Sequence, residues 1–163
     1  MASCGAPAPP ATRSRATNVN TDAWFLEQTR PTVYTEPSRD AANSLELWRS
    51  DLGLVRHLGL NTFRFSLEWA RIELEPGQLS VAILDYYKAM IDTCRSLGLT
   101  PVVTFNHFAT PRWFAGCGGW DNAEAPALFA RYCDRAARHL AGGIGYPATM
   151  YDSAAPASEH SKH

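Results

Sequence analysis

Apolar and polar positions follow two rhythms along this chain, and the rhythms alternate. Leu45, Trp48, Leu52, Val55 and Leu58 recur at helical spacing, which predicts an amphipathic helix that Gly59 ends. Asn61 to Ser66 then alternates as a strand does, with Phe63 and Phe65 on one face and Arg64 and Ser66 on the other. Leu67 to Arg71 continues as L-E-W-A-R, and Pro76-Gly77 marks a turn. Ser80 can cap a second helix whose face is Leu84, Tyr87, Ile91 and Cys94, and Gly98 stops it. Val102 to Phe105 is a β-branched or aromatic run, with Pro101 tolerable only near a strand's start. A third helix carries Phe129, Cys133, Ala136 and Leu140 as far as Gly142-Gly143. A last short strand is expected from Tyr146 to Tyr151.

Strands and helices joined by turn-length connections predict an α/β fold with a parallel sheet. Periodicity alone leaves open whether that sheet is flat or closed. Arg64 inside an apolar strand, and long loops after two strand ends, favour a (β/α)8 barrel, whose chemistry sits at that end. A doubly wound nucleotide-binding fold is the weaker alternative, because no glycine-rich phosphate loop opens a helix. Order is expected from Asp22, where Trp24, Phe25 and Leu26 form a short apolar turn, and Pro31 and Pro37 punctuate a loop to Arg39. Residues 1–21 are read as a disordered Pro/Ala-rich leader, 22–151 as the folded domain and 152–163 as a flexible tail. A transit peptide is the competing reading of the leader, which has Arg13 and Arg15 and no acid before Asp22. It has no apolar core of the kind a secretory signal requires.

Composition narrows the function classes. With 163 residues, 45% of them hydrophobic, the chain can build one core or part of a larger one. Net charge is −1 and the 15 basic residues are scattered, which argues against a nucleic-acid partner. No apolar run approaches the length of a membrane span, so a soluble, cytoplasmic protein is expected. Cys4, Cys94, Cys117 and Cys133 have no CxxC or metal-like spacing and read as inert thiols in a reduced compartment. His160 and His163, in S-E-H-S-K-H, lack the partners a metal site needs, so no metal is expected.

The candidate chemistry lies in Thr100 to Trp120, T-P-V-V-T-F-N-H-F-A-T-P-R-W-F-A-G-C-G-G-W. An apolar strand gives way there to Asn106-His107-Phe108, followed by Trp113, Phe114, a glycine-rich turn and Trp120. Aromatic rings and a histidine at one strand end suit a sugar, whose C–H faces stack on rings while its hydroxyls need polar partners. The alternative is that His107 is structural and that Trp113 and Trp120 are core.

Two blocks resemble glycoside hydrolase family 1. N-T-F-R-F-S-L-E-W-A-R-I-E, Asn61 to Glu73, is similar to that family's second barrel strand, and T-P-V-V-T-F-N-H-F-A-T-P-R-W-F with G-G-W to its third strand and loop. N-V-N-T-D-A-W-F-L-E and the segment from Ser44 to Asp51 also fit, and the likeness runs from Asn18 to Leu140. The resemblance implies a retaining β-glycosidase acting on β-linked glycosides without a cofactor. Its fold here would be a truncated (β/α)8 TIM barrel, about strands two to four with their helices. Retention uses two carboxyls, an acid/base in an N-E-P motif after the fourth strand and a nucleophile after the seventh. By the same resemblance His107 binds a sugar hydroxyl, and Phe108 stands where a tryptophan is usual. Arg64 orients the nucleophile and lowers its pKa, and Trp120 is the loop tryptophan, substrate-binding or structural.

The departures carry equal weight. The glutamine of the family's first strand is absent from P-A-T-R-S-R-A-T, and no nucleophile motif appears. H-L-A-G-G-I-G-Y-P-A-T-M-Y-D-S resembles the approach to N-E-P, with Tyr151 for the asparagine, Asp152 at the acid position and Ser153 for the proline. A chance carboxylate in a tail is the favoured reading of Asp152. Glu68 and Glu73 could pass for a catalytic pair, but the resemblance makes Glu68 part of a structural turn paired to an arginine. The chain by itself is therefore expected to be inactive, with a missing C-terminal barrel half as its expected partner. The alternative is a non-catalytic remnant that binds a sugar or a partner weakly. Strand inner faces, with Val102 and Phe105 or their neighbours named for them, are expected to be partly uncovered.

Overall fold

A computed structural model describes residues 18–31 and 43–151, except for the side chain of Tyr151. Residues 1–17, 32–42 and 152–163, and with them Asp152, His160 and His163, lie outside the described residues, whereas Asn18 to Thr21, read as the end of the leader, are described, with Asn18 and Thr21 buried.

Helix α1 (Asp22–Gln28) replaces the expected apolar turn. Thr21 caps it by accepting from the Trp24 amide, and Phe25 and Leu26 face outward. Helix α2 (Ser44–His57) buries Trp48 and Leu52 and leads to strand β1 (Thr62–Ser66). The L-E-W-A-R turn forms a one-turn helix, α3 (Trp69–Ile72). An antiparallel hairpin then follows, β2 (Glu73–Glu75) and β3 (Gln78–Leu79), turning at Pro76-Gly77. Ser80 caps helix α4 (Val81–Ser96) by accepting from the Ile83 amide, as its position predicts. Strand β4 (Thr100–His107), helix α5 (Arg112–Gly116), a 3-10 turn (Gly119–Asp121), helix α6 (Ala125–His139) and strand β5 (Tyr146–Tyr151) complete the order.

The main sheet has the order β1-β4-β5, parallel throughout, with Arg64 beside Val102 and His107 beside Tyr151. Its core lies on one face. Leu84, Tyr87 and Ile91 of α4 and Phe129, Tyr132 and Ala136 of α6 pack on Val103 and Phe105. Trp48 and Leu52 of α2 join Met90 and Cys94 in a second cluster against Phe63 and Phe65. Phe105 therefore belongs to the helix-covered side, 5% exposed, which corrects the expectation that it lines an uncovered inner face. The reason is pleat parity: Phe105 shares a face with Val103, and Val102 shares the other with Thr104 and Asn106. In α6 the covered stripe runs through Tyr132, which is fully buried, while Cys133 is only half-buried.

Gly145 sits where β5 enters the sheet. A Cβ there would meet Thr100 Cγ2 at 2.6 Å and the Pro101 carbonyl at 2.9 Å. The Gly145 amide donates to that carbonyl at 2.9 Å, so this close approach sets the register of the third strand.

Candidate active site

The carboxyl ends of β1, β4 and β5 converge on one rim of the sheet, and His107 stands at its centre. Its ring is 9% exposed, and Nδ1 lies 3.3 Å from Ser66 Oγ at the end of β1. The Phe108 ring stacks on it at 4.9 Å with planes 29° apart. Phe108 has φ 61°, a left-handed value unusual for an aromatic residue, and the Ala109 amide donates to the His107 carbonyl at 2.9 Å. Together these make a γ-turn of the strained, positive-φ kind, which rotates the chain off the strand just beyond the histidine.

Arg64 lies two residues before Ser66, on the same face of β1, and is exposed. A groove of about 280 Å³ runs along β1, lined by Arg64, Ser66 and His107 with Trp48, Asp51 and Tyr86. Residues from both faces of β1 contribute to it, so it follows the strand's outer edge. The Tyr86 hydroxyl donates to the Leu45 carbonyl at 2.8 Å. Burial, with the Glu68 charge adding to it, pushes its pKa up to about 12, so it stays a neutral donor.

Both glutamates that could imitate a catalytic pair are occupied. Glu68 is 5% exposed, and its Oε2 accepts from Arg71 Nε at 2.9 Å and from Asn18 Nδ2 at 2.6 Å. It is the arginine-paired structural residue that the turn motif implies. Glu73 has no exposed surface. It accepts from Trp69 Nε1 at 2.7 Å, the Gly77 amide at 2.7 Å and Arg131 Nη2 at 3.0 Å. A fully buried carboxylate that accepts from three donors is fixed in place by structural contacts.

His107 and Phe108 stack at the rim, and Arg64, two residues before the end of β1, lines the same groove as His107. Trp120 is placed elsewhere: its ring packs on Phe114 at 5.0 Å, Phe129 at 5.5 Å and Trp69 at 6.3 Å, behind the strand. Trp113 joins that cluster edge-on to Trp69 and donates from Nε1 to the Glu73 carbonyl at 3.1 Å. Asp152 lies outside the described residues and follows the strand whose end aligns with His107.

Sequence reasoning missed two contributors to the rim. Ser66 shares its alternating face with Arg64, and that parity was the available signal for it. The second is the role of the segment from Asn18 to Asp22, which falls within the family resemblance but carries no periodic signal; its polar side chains reach both loop exits. Among the described residues no group of three or more His, Cys, Asp or Glu side chains could hold a metal ion. No helix among them is long and apolar enough to cross a membrane.

Comparison with known proteins identifies a family and a fold. The model of glycosyl hydrolase family 1 matches residues 15–158. The cytosolic beta-glucosidase of Homo sapiens is 34% identical over 111 residues, covering 66% of this chain and 24% of that protein. Beta-glucosidase A of Thermotoga maritima is 37% identical over 93 residues, 56% of this chain and 21% of that one. Among solved structures, beta-glycosidase BGL167 superposes with a TM-score of 0.83 at 48% identity, covering 86% of this chain and 34% of that chain. A beta-glycosidase from Pyrococcus horikoshii does so with a TM-score of 0.78 at 31% identity, covering 86% and 33%. The chain thus spans about a quarter to a third of the length of the relatives it matches, and the three-stranded sheet is a sector of their (β/α)8 barrel.

Proposed function

The chain belongs to glycosyl hydrolase family 1, and from that membership we propose that it forms the sugar-binding sector of a retaining β-glycosidase. The single observation that carries this is the contact of Ser66 and His107 at the carboxyl ends of adjacent parallel strands, with Arg64 two residues before Ser66 lining the same groove, at the end where a barrel enzyme places its chemistry. His107 offers a ring nitrogen to a sugar hydroxyl, and Phe108 beside it offers an apolar face. Arg64 supplies the fixed positive charge that keeps a nearby nucleophilic carboxylate ionised. Of the two roles the resemblance leaves for Trp120, the structural one is taken here, its ring being packed on Phe114, Phe129 and Trp69. Asp152 stands at the acid position in the order of the chain.

The 163 residues alone turn over no glycoside in this proposal, because retaining hydrolysis needs two carboxyls about 5–5.5 Å apart. Glu68 and Glu73 are both fixed by donors. The substrate is a β-linked glycoside, the compartment is the cytoplasm, and the partner is a polypeptide supplying the rest of the barrel. The test is release from an aryl β-glucoside by the purified chain, alone and fused to a family 1 segment carrying the later strands. The expected result is no turnover alone, turnover in the fusion, and its loss in His107→Ala. Turnover by the chain alone, abolished by a substitution within it, overturns the proposal.

Asp152 is tested in the same fusion. Asp152→Glu, made with Tyr151→Asn and Ser153→Pro, should raise the rate most on a poor leaving group, since that substrate depends on the acid. Equal effects on good and poor leaving groups would make Asp152 a tail residue.

A further inference from the structure

We infer that Asp22 is a positioning residue for His107, acting through Thr110 across the γ-turn at Phe108. The Asp22 carboxylate grips one residue at two points. Oδ1 accepts from the Thr110 amide at 2.8 Å, and Oδ2 accepts from Thr110 Oγ1 at 2.8 Å. The Asp22 amide in turn donates to the Thr110 carbonyl at 3.0 Å, so donor, acceptor and side chain of Thr110 are all tied to residue 22. Thr110 is 2% exposed, and hydrogen bonds to an ionised carboxylate in such a place are among the strong ones.

The grip lies three residues beyond His107, and the link between them is the strained turn. A positive-φ aromatic residue persists only where its surroundings over-determine it. One end of the turn is fixed by β4, which pairs on both sides as far as His107 on the β5 side. The other end is fixed by Asp22, with the Arg112 amide donating to the Asn20 carbonyl at 3.0 Å. The same short segment reaches the exit of β1, where Asn18 donates to Glu68 and Asn20 Nδ2 donates to the Ala70 carbonyl at 2.8 Å. Asn18 to Asp22 therefore straps together the two loop exits that flank the Ser66–His107 contact. Released from the strap, Phe108 can relax to negative φ. The stacked His107 ring would then turn with the chain and leave Ser66.

The relevance of this pose to a sugar rests on the proposed function; the pose itself does not. The test reads the ring of His107 by nuclear magnetic resonance in the full chain without ligand, with the other four histidines as internal controls. Asp22→Ala is expected to shift the His107 ring resonances outside the spread of the controls and to lose the coupling to Ser66. Asp22→Asn, which keeps an oxygen for the Thr110 amide, is expected to restore the wild-type signals. Should Asp22→Ala fail to fold, Thr110→Val removes only the hydroxyl contact and should give a smaller shift in the same direction. Unchanged His107 signals in a folded Asp22→Ala, or in Thr110→Val when Asp22→Ala does not fold, overturn the inference. Adding deoxynojirimycin separates the two readings: an unresponsive His107 in the wild-type chain counts against the sugar site and leaves the strap standing.

Discussion

The guanidinium of Arg131 reaches the carboxylate of Glu73 across 58 residues of sequence, Nη2 to Oε1 at 3.0 Å. The two ends differ in burial, since the Arg131 side chain is 41% exposed and that of Glu73 is not exposed at all. Glu73 also takes the Trp69 indole and the Gly77 amide, so one carboxylate joins α3, the β2–β3 hairpin and α6.

That asymmetry predicts unequal mutants. Glu73→Ala strands two buried donors and a cation and should cost about 3–5 kcal/mol. Arg131→Met removes one partly exposed donor and leaves Glu73 its Trp69 and Gly77 contacts, and should cost less, about 1.5–3 kcal/mol for one hydrogen bond to a charged group. Denaturant unfolding of both variants checks the order, and equal losses would mean that the carboxylate is not the organising group.

Gly145→Ala should destabilise the third strand selectively. The added methyl meets backbone as well as a side chain, and overpacking of this kind costs about 1–3 kcal/mol. Hydrogen exchange is expected to speed up in Tyr146–Met150 and to stay slow in α4.

The thiols should separate by burial. Desolvation pushes Cys94 up to about 11 and Cys133 up to about 12, whereas Cys117 is exposed. In the native chain an alkylating reagent near pH 8 should label Cys117 and spare Cys94 and Cys133, as peptide mapping would read out. The same shifts give stability a sign with pH. A thiol raised from 9.0 holds its proton more tightly folded than unfolded. Its contribution is complete below pH 9 and is lost as pH rises through about 11 and 12. Tyr86, raised from 10.0 to about 12, acts in the same direction. The denaturant midpoint should therefore fall steadily above pH 9, most of all in wild type and less in Cys133→Ala.

Leu54 and Leu58 at the end of α2 and Leu60 before β1 are 58%, 64% and 51% exposed. Among the described residues β1 pairs with β4 alone, so the chain offers a sheet edge as well as this apolar surface. Such a combination favours association. The purified chain should bind an apolar-surface dye and scatter light as concentration rises. Leu58→Lys should reduce both while leaving the thermal midpoint unchanged.

The periodic elements were determined by sequence alone because their cause is local. The Leu45–Leu58 stripe, the Phe63/Arg64 alternation, the Ser80 cap and the Gly59 and Gly98 stops all act within a turn or two of themselves, and each element formed where its pattern stood. Arg64, His107 and Phe108 could be named because a motif is a run of neighbouring residues, and the family resemblance supplied the roles expected of them. What the tertiary structure decided is which polar groups find each other. Glu73 looked like half of a catalytic pair until Trp69, Gly77 and Arg131 closed around it. Trp120 went to the aromatic cluster with Phe114 and Phe129, away from the His107 rim. Asp22 met Thr110 across 88 residues. A hydrogen bond between distant residues leaves no period in the sequence, because its geometry exists only once the sheet has set the two loop exits side by side.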